Sequence, residues 1–202
     1  EKLIAQYPKI SAALFIGDIR VGANPKVNNL FQSYYRAKYD TVVISDSNIR
    51  ATKDYLNRLL VGDAKDLVTA RIRGRSAEGL GGILEMQYLN GFLARWVALS
   101  HFLGRPIVIG KSLAFRRSEF EKAGGLNAIK NYIAEDDASG KVVKAARNKI
   151  HLSTAPVYQF IGKYSVSQFW GRHVRWGRIR KSTEPLAFVL EPLVSPFVMS
   201  LL

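Results

Sequence analysis

Two rhythms of apolar and polar positions alternate along the chain. Short apolar runs read as strands at residues 12–16 (AALFI), at Thr41–Ser45 (TVVIS), and near 67–72, 107–109, 112–115 and 157–160. Between them, helical spacing runs from Pro25 to about residue 39, over 52–60, over 83–103, from Ser118, and from Glu135 to about residue 149. Pro25 suits a first helical turn, where its missing N–H does no harm. TVVIS is nearly continuous in apolar character, as expected of a central parallel strand covered on both faces. GLGG at 79–82 reads as a hinge or loop. Residues 83–103 are apolar almost all round, interrupted by Glu85, Gln87, Asn90 and Arg95. Such a helix is either deeply buried or half sunk in a bilayer surface, and burial is the default. The alternation predicts an α/β domain with a sheet flanked by helices.

Composition narrows the partners. The chain of 202 residues is 48% hydrophobic, enough for a real core, so disorder is excluded. Thirty Lys and Arg against sixteen Asp and Glu leave a formal charge of +14, which favours anionic partners: nucleic acid, acidic headgroups or a phosphorylated substrate. With no cysteine there are no disulfides or thiolate metal sites. His101, His151 and His173 lie far apart in sequence and form no short-range ligand pair for structural zinc. The terminal run PLAFVLEPLVSPFVMSLL, residues 185–202, carries one charge and three prolines. Its eighteen residues are marginal for a span of about 20. It reads as the start of a membrane segment in a chain cut short, or as a segment packed into the core.

Three clusters could carry chemistry. Asp46-Ser47-Asn48 follows TVVIS, where ligands of open α/β sheets bind; a carboxylate there suits a hard cation, although Asp-Ser-Asn is also a common capping turn. Glu135-Asp136-Asp137 opens a helix, where acids complement the dipole, and a carboxylate there also suits general-base work. QFWGRHVRW at 168–176 joins three aromatics to arginines, which grip phosphate oxygens bidentately. On a helix, Arg172 and Arg175 share a face and Trp176 lies beside Arg172. Trp170 is expected to pack in the core.

Taken in order, an aspartate after a strand, a later Glu-Asp pair and an Arg-x-x-Arg-Trp element resemble the inverting GT-A glycosyltransferases of D, D, D, (Q/R)xxRW type. GANPKVNNL at 22–30, AKYD at 37–40, ISDSNIR at 44–50, AGGL at 123–126, YIAED at 132–136 and YSVSQF at 164–169 resemble segments of ceramide glucosyltransferase and its bacterial relatives. The resemblance runs from about Leu14 to the end.

That resemblance implies a GT-A fold with a mixed, mostly parallel sheet, over residues 1–184, and an apolar interfacial or truncated transmembrane segment over 185–202. It implies Asp46 as the metal-associated aspartate for Mg²⁺ or Mn²⁺, and Asp136 as the catalytic base. Arg172, Arg175 and Trp176 would serve the donor diphosphate and the acceptor, and Lys26 and Asn28 would line the donor site. The third position of the DxD-like triplet is Asn48, which leaves the metal to Asp46. The family's first aspartate motif and uridine-cradling strand are expected before the equivalent of Leu14, so the nucleotide-binding part is incomplete and the chain alone is expected to be inactive. The implied reaction moves a hexose from a UDP-sugar, foremost UDP-glucose, to ceramide or a similar lipid alcohol, at a membrane with the catalytic domain on the cytoplasmic side. A polysaccharide synthase of the same fold is the second enzymatic reading. A basic nucleic-acid-binding domain leaves the acids without a role, so no nucleic-acid polymer is expected as partner. The spatial expectation is that Asp46, Asp136 and Arg175 surround one cavity.

Overall fold

The computed structural model describes residues 2–17, 19–60, 63 and 66–194. In chain order these form α1 (Lys2–Ala5), α2 (Pro25–Arg36), β1 (Thr41–Ser45), β2 (Ile49–Arg50), α3 (Tyr55–Leu59) and β3 (Leu67–Glu78). Next come α4 (Gly79–Gln87), a π-helical turn (Tyr88–Leu93), α5 (Ala94–Phe102), β4 (Ser112–Arg116), α6 (Arg117–Lys122) and α7 (Gly125–Ile129). The described residues end with α8 (Glu135–Ala145), β5 (Ile150–Lys163), α9 (Val166–Thr183), α10 (Pro185–Leu190) and a 3₁₀ turn (Glu191–Val194).

The five strands form one sheet in the order β1-β4-β3-β5-β2. Only β3 and β5 pair parallel; β1–β4, β3–β4 and β2–β5 are antiparallel. The sheet is therefore mixed, as expected, but three of its four strand pairings are antiparallel. TVVIS is an edge strand paired antiparallel to β4, with Val42 and Ile44 against one core and Val43 against the other. Its apolar run correctly signals cover on both faces, but coverage does not encode pairing direction.

Alternation along the strands divides the core. Leu67, Leu113 and Phe115 pack with Val27 of α2, Leu126 of α7 and Val143 of α8 on one face. Val68, Ala114 and Val157 pack with Leu59 of α3, Leu89 of the π turn and Val97 of α5 on the other. Helices thus cover both faces, the layering that an α/β alternation predicts.

Several expectations are corrected. Residues 12–16 pair with no strand among the described residues, and Ile16 is 81% exposed. Residues 107–109 are not a strand, because the Thr69 hydroxyl takes both the N–H and the carbonyl of Ile109, at 2.9 and 3.2 Å. GLGG is no hinge: it begins α4, and a Cβ on Gly81 would lie 2.2 Å from the Ser165 carbonyl oxygen. These glycines permit close packing. The helical stretch from α4 through α5 is not buried all round, since Leu80, Ile83, Leu99 and Phe102 are exposed, Phe102 at 86%. Asn90 is satisfied by the backbone of Gly74 in β3, donating to its carbonyl and accepting from its N–H. Trp170 is 68% exposed and not in the core.

At the C-terminal end, Leu186, Val189, Leu190 and Leu193 are exposed, so this part is not packed inside. Residues 195–202, the rest of the expected membrane segment, lie outside the described residues. Among the described residues no helix is long and apolar enough to cross a membrane.

Candidate active site

The site is assembled at the N-terminus of α2. Asn24 caps this helix, its side-chain oxygen accepting from the N–H groups of Lys26 and Val27 at 2.8 and 3.1 Å. The same amide donates to the Tyr132 carbonyl at 2.6 Å and to Glu135 at 3.3 Å. The cap thereby docks the YIAED segment against NPKVNN. Gly22 lies where a Cβ would be 2.4 Å from the Lys130 carbonyl oxygen, so this approach requires a residue without a side chain.

Lys26, in the first turn of α2, projects into a nest of oxygens. Its ammonium lies 2.8 Å from Glu135, 3.2 Å from Asp46 and 3.1 Å from the Gly110 carbonyl. Asp46 follows β1, and its N–H donates to the Lys111 carbonyl at 3.1 Å. Lys111 returns its own ammonium to Asp46 at 2.8 Å and donates to Asn48 at 2.9 Å. Burial favours the neutral form of Asp46, but hydrogen bonds and charge from Lys111 and Lys26 outweigh it and hold its pKa below the ordinary value. Burial likewise works against the charge on Lys26, and Glu135 and Asp46 overcome it, raising the pKa.

Asp136 is the second residue of α8. It accepts hydrogen bonds from Gly110 N–H at 3.0 Å and Asp137 N–H at 2.9 Å. Burial, and then the neighbouring Glu135 charge, push its pKa above the ordinary carboxylate value despite those bonds and Lys26. A carboxyl with a raised pKa accepts protons more strongly, which suits a general base.

A cavity of about 440 Å³ opens beside Asp46, lined by Lys26, Leu30, Ile44, Asp46, Asn48 and Lys111 among others, but not by Asp136. That size is typical of small-molecule sites. A second cavity of about 360 Å³, with Ile19, Arg20, Pro25 and Asn28 in its wall, shares Asn29 with the first. The Asn28 side chain is committed to the backbone of Val21 and Gly22 through three hydrogen bonds, so it shapes the wall of the second cavity.

The Mg²⁺ or Mn²⁺ implied at Asp46 meets a test here. Both oxygens of Asp46 already face ammonium groups, and among the described residues no three His, Asp or Glu side chains converge as a cation site. The residues present, in this arrangement, do not fit a resident divalent ion.

The aromatic-basic stretch lies on α9, which starts with a capping box between Ser165 and Gln168. This helix packs on α4. Arg172 reaches Glu85 at 3.1 Å, an ion pair without hydrogen-bond alignment, and its guanidinium carbon sits 4.3 Å from the Trp176 ring centre. His173 reaches the other oxygen of Glu85 at 2.8 Å. Arg172 and Arg175 do not share an environment. Arg172 turns inward to Glu85, whereas Arg175 is exposed and meets no acid among the described residues.

The structure thus brings Asp46, Lys26 and Asp136 together through Gly110 and Lys111. Arg172, Arg175 and Trp176 line neither cavity, and neither does Asp136, so the single hollow expected around Asp46, Asp136 and Arg175 is not observed. Lys111 and Gly110 escape sequence reading because a lone Gly-Lys before a strand carries no signal. Glu85 had one, as the only acid in an otherwise apolar helical run.

The profile of Glycosyl transferase family 21 matches residues 1–202. The chain belongs to this family. It is similar to ceramide glucosyltransferase 1 of Caenorhabditis elegans, with 30% identity over 95% of this chain and 42% of the relative. Ceramide glucosyltransferase 3 of the same organism is 28% identical over 99% of the chain and 44% of the relative. A ceramide glucosyltransferase of Gibberella zeae is 24% identical over 99% of the chain and 52% of the relative. The chain therefore spans about half the length of these curated relatives or less.

Proposed function

We propose that this chain is part of the catalytic domain of a hexosyltransferase that moves a sugar, foremost glucose from UDP-glucose, onto the hydroxyl of ceramide or a similar lipid alcohol. Asp136 takes the proton from the acceptor hydroxyl, whose oxygen attacks the anomeric carbon from the side opposite the departing diphosphate, inverting the configuration. Lys26 and Lys111 supply positive charge where the diphosphate develops negative charge. Arg175, exposed on α9 and outside both cavities, is given to the same group by the family resemblance alone, beside the Arg172–Trp176 pair. The acceptor is delivered at a membrane surface, with the domain on its cytoplasmic face. The basic surplus of the chain favours both anionic headgroups and the nucleotide.

The observation that carries this reading is the Asp136–Gly110 hydrogen bond. It ties a carboxyl of raised pKa, through the Gly110–Lys111 turn, to the two lysines that line the larger cavity, in a chain of glycosyltransferase family 21. The test is to express the full-length protein in membranes, supply radiolabelled UDP-sugars and resolve the extracted lipids. A labelled glycolipid supports the proposal; label entering only water-soluble polymer would favour a polysaccharide synthase and contradict it.

A further inference from the structure

Glu85 is the only acid in α4, the π turn and α5, and it is 1% exposed. A carboxyl buried so deeply is costly to the fold unless it is paired. Both of its oxygens are matched from α9, one by Arg172 at 3.1 Å and one by His173 at 2.8 Å. Around this pairing lies a continuous seam. Gly81, Glu85 and Tyr88 form one stripe of the α4 and π-turn surface, at spacings of four and three. Gly81 meets the Ser165 carbonyl; Tyr88 meets the His173 ring at 4.3 Å and the Trp176 ring at 6.5 Å. Phe169 closes on His173 at 4.2 Å.

Apolar packing alone would hold the two helices together without choosing which residues of α9 face inward. A buried carboxyl makes that choice, because any rotation of α9 that removes both Arg172 and His173 leaves Glu85 without a partner. With Arg172 and His173 held inside, Trp176 is fixed under the Arg172 guanidinium and Arg175 is turned outward. We propose that Glu85 is the positioning residue of the arginine-tryptophan element: it sets the rotation of α9 and thereby aims that element at the donor diphosphate. The inference rests on the donor role proposed above for the element.

A double-mutant cycle on UDP binding tests it, since a dissociation constant does not depend on how much of a preparation is folded. In the full-length protein in membranes, the Kd of radiolabelled UDP is measured for the unaltered chain, Glu85→Gln, Arg172→Ala and the double variant. Each single variant is expected to raise Kd about tenfold, and the double variant by no more than either alone. An unmoved Kd in Glu85→Gln, or a double variant in which the two effects multiply, overturns the positioning role. If Glu85→Gln does not accumulate, Glu85→Asp takes its place, with a smaller rise expected and an unmoved Kd again decisive against the role. Failure of the unaltered protein to bind UDP would instead overturn the donor reading itself.

Discussion

Asp136 accepts a hydrogen bond from the N–H of Gly110 at 3.0 Å, and this contact couples the two acidic centres of the molecule. The next residue, Lys111, holds Asp46 at 2.8 Å, and the Gly110 carbonyl faces Lys26. A single turn before β4 thus connects the end of β1 with the start of α8. Carboxylates 90 residues apart in sequence become parts of one site.

The first consequence concerns pH. Burial and the charge of Glu135 raise the pKa of Asp136, and a base works only when ionised. Transfer should rise with pH as Asp136 loses its proton, and the acid limb of kcat/KM should lie above the ordinary aspartate value of about 3.9. Replacing Glu135 by Gln removes the repulsion and should move that limb to lower pH. A limb at or below the ordinary value would contradict the assignment.

Lys26 separates two carboxylates that would otherwise repel. Lys26→Met should lower stability by only about 1 kcal/mol, because the ion pairs are partly solvent-screened. The larger effect should be on the donor, with UDP affinity falling about tenfold or more through loss of a charge-assisted contact. Urea denaturation and UDP titration on the same preparation separate the two. A large stability loss with unchanged UDP affinity would make Lys26 purely structural.

The lysines around Asp46 also bear on metal binding. Without donor, titration with Mn²⁺ followed by electron paramagnetic resonance should show no tight saturable site, because both Asp46 oxygens face ammonium groups. A stoichiometric tight site that vanishes in Asp46→Asn would contradict this arrangement.

Gly81→Ala should destabilise the fold by about 1–3 kcal/mol through overpacking against Ser165. Helix propensity alone predicts the opposite sign, a gain of about 1 kcal/mol from removing a helical glycine. Thermal or urea unfolding decides between them, and a gain would show that the α4–α9 seam is looser than described.

Much of this was legible in the sequence, for reasons that differ by residue. Pro25 opening α2, the strand TVVIS and the acids starting α8 were readable because their signals are local. The antiparallel pairing of β1 was not, since pairing depends on a β4 strand about 70 residues away. GLGG misled because glycine serves close packing as well as flexibility, and only the position of Ser165 shows which applies. Asp46, Asp136 and Lys26 were singled out, with roles taken from the family resemblance, and the structure places them together. The inward turn of Arg172 was hidden, because its helix could not be oriented without knowing that Glu85 lies beneath it.

The most direct test of the account is Asp136→Asn in the full-length protein, assayed in parallel for transfer of labelled sugar to lipid and for UDP binding. Transfer should be abolished while UDP affinity stays within about twofold, because the carboxylate acts on the acceptor hydroxyl. Normal turnover by this variant, or loss of UDP binding in step with loss of transfer, would contradict it.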